Sequence, residues 1–238
     1  MCYGSAELAT ARLSRRSRKG PAFVVLVSIM SALPAASMAS GVAEQEFSAA
    51  VHAPPSQMHG EALFNDTCIA CHGPDGAGQP DGSVPSIAAQ HPRYIIRQLV
   101  NYRHGRRWDL RMEHSTGPRR LVNAQDIADV AAYVSRLPPS AAVDIGNGEL
   151  AASGQLIYVR ACAPCHGNSG AGDDTSEVPT LAGQHYNYLL RQMIDATQDQ
   201  RPEFPREHSM LLRRLERNDL IGLADFLSRS VAGPDRPR

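Results

Sequence analysis

The sequence predicts an all-α protein made of two consecutive domains of one fold. Three observations carry that expectation. The chain repeats itself without a gap at an offset of 94 residues, from Gly60/Gly154 to Leu121/Leu215. Apolar residues recur at helical spacing in both halves, and no alternating run reaches strand length. Each half also carries the same short motif, Cys68-Ile69-Ala70-Cys71-His72 and Cys162-Ala163-Pro164-Cys165-His166. A chain of 238 residues, 42% hydrophobic, can bury two small cores, which excludes disordered and collagen-like classes. Balanced charge, 24 basic against 24 acidic residues, argues against a nucleic-acid binder.

The N-terminus reads as an address. Arg12, Arg15, Arg16, Arg18 and Lys19 form a basic block, followed by an apolar run from Pro21 to Leu33 and small residues ending at Ala39. That layout is a secretory signal peptide over residues 1–39, cleaved near Ala39. The apolar run is short for a bilayer span; the competing reading is a retained anchor. Cleavage leaves 19 basic and 23 acidic residues, a net charge near −4, and removes Lys19, the only lysine. The expected location is the periplasm. Residues 40–54 are expected to be a flexible N-terminal segment. The first domain spans 55–139, a Pro-led linker 140–148, the second domain 149–230, and a tail 231–238.

Each half follows the same order. A helix over His59–Asn65, or Gly154–Arg160, leads into the cysteine motif. A Gly/Asp-rich loop follows, then a helix near Tyr94–Arg103 or Tyr188–Thr197. An amphipathic helix closes each half, Ala124–Leu137 and Asn218–Ser228, and Pro138-Pro139 stops the first. Gly60 and Gly154 suit a close crossing with the closing helix, against which Tyr133 and Phe226 would pack; the plainer reading makes these glycines only helix starts.

The cysteines carry the chemistry. C-x-x-C-H is the c-type haem attachment signature. Two thiols in one helical turn can each add to a porphyrin vinyl group, and the adjoining imidazole then reaches the iron. The motif thus implies two covalently bound haem c groups, on Cys68 and Cys71 and on Cys162 and Cys165, with His72 and His166 as proximal ligands. A thioredoxin-like pair would sit in a βαβ setting, a four-cysteine zinc site is a second alternative, and disulfides between cysteines three apart in a helix are rare.

With Leu181-Ala182-Gly183-Gln184-His185, Tyr188 and Gln192, their first-half twins, and the helix from Asp126 to Tyr133, each half resembles a class I cytochrome c domain. The tandem resembles the dihaem cytochrome c4 family over nearly all of residues 55–230. The resemblance implies two tandem cytochrome c domains and an electron-carrier role. It also implies that the carbonyls of Pro85 and Pro179 accept a hydrogen bond from His72 and His166 Nδ1.

The distal ligand is where the sequence departs from the family, which supplies a methionine. Met112 and Met210 are not repeat partners, whereas His114 and His208 are, each seven residues before Leu121 or Leu215. The symmetric reading is bis-histidine ligation by His114 and His208. Met112 and Met210 are the alternatives, and a mixed or open site is the third. His91 and His185 repeat as well and are rival ligands by symmetry alone. The basic run Arg103, His104, Arg106, Arg107 and Arg111 reads as a solvated loop, as a docking patch for an acidic partner, or as cations near haem propionates.

Two six-coordinate irons imply a carrier between redox partners: a dehydrogenase donor and an oxidase or other cytochrome as acceptor. No nucleic acid is expected, and no membrane contact except through a partner. The competing function is a haem enzyme, or the electron-accepting subunit of a periplasmic dehydrogenase (thiosulfate- or alcohol-oxidising), with one open iron. A haem-based sensor ranks last, because no output domain is visible.

Overall fold

A computed structural model describes residues 35–140 and 143–231. The basic block and apolar run of the expected export signal lie outside the described residues, as does nearly all of the tail. The described chain is helical, and its β pairing is one isolated bridge, Asp173 to Val178.

Helix α1 (Ala35–His52) comes first and corrects an expectation: the segment expected to be flexible is helical through His52. Ala43, Phe47 and Ala50 are buried. They fall at i, i+4 and i+7, one stripe of a helix. This stripe is packed against α4 (Pro92–Arg103) and α6 (Ala124–Arg136). Two of its three residues are alanine, which is why it does not stand out in the sequence.

Helix α2 (Gln57–Leu63) continues through a π-helical turn, Phe64–Cys68, into α3 (Ile69–His72). Such a turn widens the helix by one residue and is common at functional sites. The second half repeats it with α7 (Ala151–Ile157), a π turn over Tyr158–Cys162, and α8 (Ala163–His166). The crossings with α6 and with α11 (Arg217–Arg229) need glycine. A Cβ on Gly60 would overlap the carbonyl of Asp129, and one on Gly154 that of Gly222. Phe64 packs on Tyr133, and Tyr158 on Phe226, each with ring centres 5.3 Å apart.

Helix α9 (Tyr186–Thr197) is the twin of α4. The sequence reading has no counterpart for two short helices, α5 (Leu110–Thr116) and α10 (Arg206–Leu212). The first-half core is a single cluster that includes Phe64, Ile96, Val100, Ile127 and Val134. The second-half core divides into two smaller clusters, one around Tyr158 and Leu223 and one around Ala196, Leu212 and Leu220.

The halves interlock about a pseudo-twofold relation. Gln184 Nε2 donates to the Ser86 carbonyl (2.7 Å), and Ser86 N–H donates back to Gln184 Oε1 (3.0 Å). The repeat partners do the same: Gln90 Nε2 donates to the Thr180 carbonyl (3.0 Å), and Thr180 N–H donates to Gln90 Oε1 (2.9 Å). His91 Nε2 donates to the Ala171 carbonyl (2.8 Å) and His185 Nε2 to that of Ala77 (2.7 Å). Asp144, in the linker, caps α9 through Asn187 N–H (3.0 Å) and meets His185 Nδ1.

Candidate haem sites

A cavity of about 1800 Å³ runs through both halves. It is larger than an ordinary small-ligand pocket. Cys68, Cys71 and His72 line one part, and Cys162, Cys165 and His166 the other. The walls are largely aliphatic, with Ile95, Leu99 and Val130 in the first half and Leu189, Leu223 and Leu227 in the second.

The loop after each motif is built to hold its histidine. Gly78 and Gly172 sit at φ 83° and 71°, where glycine is favoured. Their N–H groups donate to the carbonyls of His72 (2.8 Å) and His166 (2.9 Å). A Cβ there would overlap the backbone at Pro85 or Pro179. The loop therefore closes tightly and brings each proline carbonyl to its imidazole. His72 Nδ1 donates to the Pro85 carbonyl at 3.0 Å, and His166 Nδ1 to that of Pro179 at 3.4 Å. This bond leaves Nε2 of each ring free of its proton, the form that binds a metal. Burial pushes His166 down to about 4 and lowers His72 as well, with the proline hydrogen bonds opposing.

The two thiols of each motif differ in exposure. Cys71 and Cys165 are exposed, while Cys68 and Cys162 are half-buried. Burial pushes the Cys68 thiol up to about 12 and that of Cys162 to about 11. Among the described residues no three His, Cys, Asp or Glu side chains gather as a metal cluster. The four cysteines do not form the tetrahedral set that zinc requires.

Arg107 and Arg201, which are repeat partners, form a cationic wall of the cavity and are buried. Arg107 donates to Gln98 Oε1 (2.7 Å), Tyr188 Oη (2.7 Å) and Gln192 Oε1 (2.6 Å). Arg201 pairs with Glu203 and Gln192 and lies over the Phe204 ring. Two guanidinium groups thus face one buried carboxylate, and Arg201 Nη2 and His208 Nδ1 are buried without partners. A group with a flat apolar body, anionic carboxylates and a metal centre matches this lining, and haem has all three.

The sequence-derived candidates divide. Met112 and His208 line the cavity; His114 and Met210 do not and are exposed. The symmetric pair of His114 and His208 therefore divides, with His208 lining the cavity and His114 outside it. The rivals His91 and His185 point across the domain interface instead. The basic run does not form one patch. Glu46 pairs with Arg103 and His104, Glu44 with Arg106, and Asp109 with Arg111, while Arg107 is buried between the halves. Sequence reasoning missed Arg201, Tyr188 and Gln192 as cavity residues, although the 94-residue repeat of Arg107/Arg201 was a usable signal.

Paired histidine–cysteine motifs, each opening into an aliphatic cavity with a cationic wall, define a c-type haem protein with two sites. The family model described as Cytochrome c matches residues 57–138 and 151–229, so the chain belongs to that family and carries its domain twice. The relatives narrow this further. The chain is 35% identical to a cytochrome c4 of Pseudomonas aeruginosa over 54% of this chain and 65% of that one. It is 37% identical to a cytochrome c4 of Thiocapsa roseopersicina over 54% and 68%. It is 31% identical to a thiosulfate dehydrogenase electron acceptor of Thiomonas intermedia over 53% and 61%. The crystal structure of reduced recombinant cytochrome c4 from Pseudomonas stutzeri aligns with a TM-score of 0.65 and 27% identity, covering 75% of this chain and all of that one. The chain is a dihaem cytochrome c4-like protein with two covalently bound haem c groups.

Proposed function

We propose that the chain is an exported, periplasmic carrier that takes single electrons from a dehydrogenase and delivers them to an oxidase or another cytochrome. Cys68 and Cys71 form the thioethers of the first haem, Cys162 and Cys165 those of the second, and His72 and His166 are the proximal ligands. The domains are those expected from the sequence, 55–139 and 149–230, joined by the 140–148 linker. The observation that carries the reading is the shared cavity, which opens to both motifs and is crossed by buried polar side chains from both halves. Haem supplies the one-electron exchange between ferrous and ferric iron. The protein's own part is positional. The proline carbonyls orient the imidazoles, the aliphatic walls exclude water, and the exposed Cys71 and Cys165 mark the edges a partner can approach. Among the described residues no helix is long and apolar enough to cross a membrane.

A second reading, the electron-accepting subunit of a thiosulfate-oxidising dehydrogenase, is favoured by the similarity to such an acceptor in Thiomonas intermedia. Carbon monoxide tests the carrier reading on the purified exported protein. A reduced spectrum unchanged by the gas, with a mass equal to the processed chain plus two haems, is the expected result. Rapid binding at one haem would point to an enzyme, and a colourless protein would end both readings.

A further inference from the structure

We infer that the two irons are ligated unequally, by His72 and Met112 in the first half and by His166 and His208 in the second. The inference rests on the reading that both motifs carry haem, and it assigns the distal ligands that the family match leaves open.

The argument begins with a register shift. The residue two places into α5 is Met112, and the residue two places into α10 is His208. By the sequence repeat these positions are not partners, because Met112 aligns with Arg206. The helices start at different points for a local reason. Asp109 caps α5, accepting from Arg111 N–H (3.0 Å) and Met112 N–H (3.2 Å). Its repeat partner is Glu203, which turns inward to the buried Arg201 and caps nothing. The second-half helix instead begins after Pro205, two residues later in the repeat.

A helix then permits only one of each ligand pair to face inward. Residues two apart on a helix point about 200° from each other. With Met112 in the cavity, His114 must face solvent; with His208 in the cavity, Met210 must. Met112 also packs against the first-half core, and Met210 is 43% exposed.

The second-half geometry suits two imidazoles on one metal. The His166 and His208 ring centres are 6.3 Å apart. Two imidazoles on opposite sides of a metal, bound at about 2 Å with about 1 Å from nitrogen to ring centre, separate their centres by about 6 Å. Phe204 packs edge-on to the His208 ring at 4.8 Å and fixes its plane. His208 Nδ1 is buried without a hydrogen-bond partner among the protein groups.

Unequal ligands give unequal potentials. A thioether ligand raises the potential of haem iron, so the first haem is the better acceptor and the second the better donor. An electron entering through the second half therefore comes to rest in the first.

Haem content of the full exported protein, from mass and pyridine haemochrome, comes first. A count other than two refutes the carrier reading itself, whatever the ligands. With two haems present, the ferric long-wavelength band of sulfur–iron bonding and low-temperature paramagnetic resonance count the ligand types. The expected result is one band equivalent per two haems, together with one bis-imidazole signal. Met112→His should abolish the band, and His208→Met should double it. His114→Ala and Met210→Leu, both at exposed positions where folding is safe, should change neither. Two band equivalents in the parent protein, none at all, or a band lost in Met210→Leu would overturn the assignment.

Discussion

The two halves share an architecture and differ in how they are secured. The first half packs one continuous core and adds α1, whose Phe47 sits beneath the guanidinium of Arg97, 3.4 Å from the ring centre. Among the described residues the second half has no such helix, and its core is split in two. The first half crosses α2 and α6 through Gly60 alone, and Asp129 clasps Ser56 N–H and His59 across that crossing. The second half has Gly222 where the crossing presents Asp129, so glycine faces glycine and the helices meet backbone to backbone. Its clasp moves to Asp225, which accepts from Gly148 N–H at 2.7 Å. A duplicated domain has thus kept the cavity while spending different side chains on its support. The first half has one continuous core; the second has two smaller clusters and a tighter helix crossing.

The largest effect that would test this contrast lies at the second crossing. Gly154→Ala puts a Cβ into the Gly222 backbone and should destabilise the second half by about 3 kcal/mol or more, by the overpacking mechanism. Thermal unfolding followed at each haem should show the second half melting first. A uniform loss across both halves would contradict this contrast. Next in size is Phe47→Ala, which empties a buried aromatic site and should cost about 3 kcal/mol, confined to the first half. Chemical denaturation of the variant, with haem-resolved spectra, checks the confinement.

Gln184→Ala sharpens the comparison at the interface. It leaves the buried Ser86 N–H and carbonyl without their partner, at a cost of about 1–3 kcal/mol. The expected outcome is two separated unfolding transitions where the parent shows closer coupling, and hydrogen exchange at Ser86 should rise. The smallest effect concerns pH. Burial acts to raise the Asp129 pKa, but the hydrogen bonds from Ser56, His59 and Gln125 outweigh it and hold the carboxyl below its ordinary value of 3.8. A carboxylate depressed in the folded state contributes stability that is present above that ordinary value and lost as pH falls through the folded one. Asp129→Asn should therefore flatten the acid limb of first-half stability below about pH 4, by about 1 kcal/mol, and leave the second half unchanged. Acid titration of Asp129→Asn beside the parent protein measures it.

Much of this was legible without coordinates. Helix positions follow from apolar spacing, and the α4 and α9 expectations, Tyr94–Arg103 and Tyr188–Thr197, differ from the observed bounds only at their starts. Gly60 and Gly154 read as a close crossing because a missing side chain is itself a steric statement. The cysteine–histidine motifs follow from local chemistry, since each involves atoms within five neighbouring residues, whereas the proline carbonyls are what the family resemblance implied. Helix α1 was missed because alanine carries little pattern, and its burial depends on surfaces brought from α4 and α6.

Spacing along the chain therefore determined the class of protein and the number of haems, because those are read from short motifs among neighbours. Tertiary structure alone decided which of Met112 and His114, or His208 and Met210, reaches the cavity. That choice turns on where a short helix begins, and its start depends on whether one acidic side chain caps the helix or folds inward to a buried arginine. A shift of two residues rotates a helix by more than half a turn, so two copies of one repeat can present different side chains to corresponding spaces.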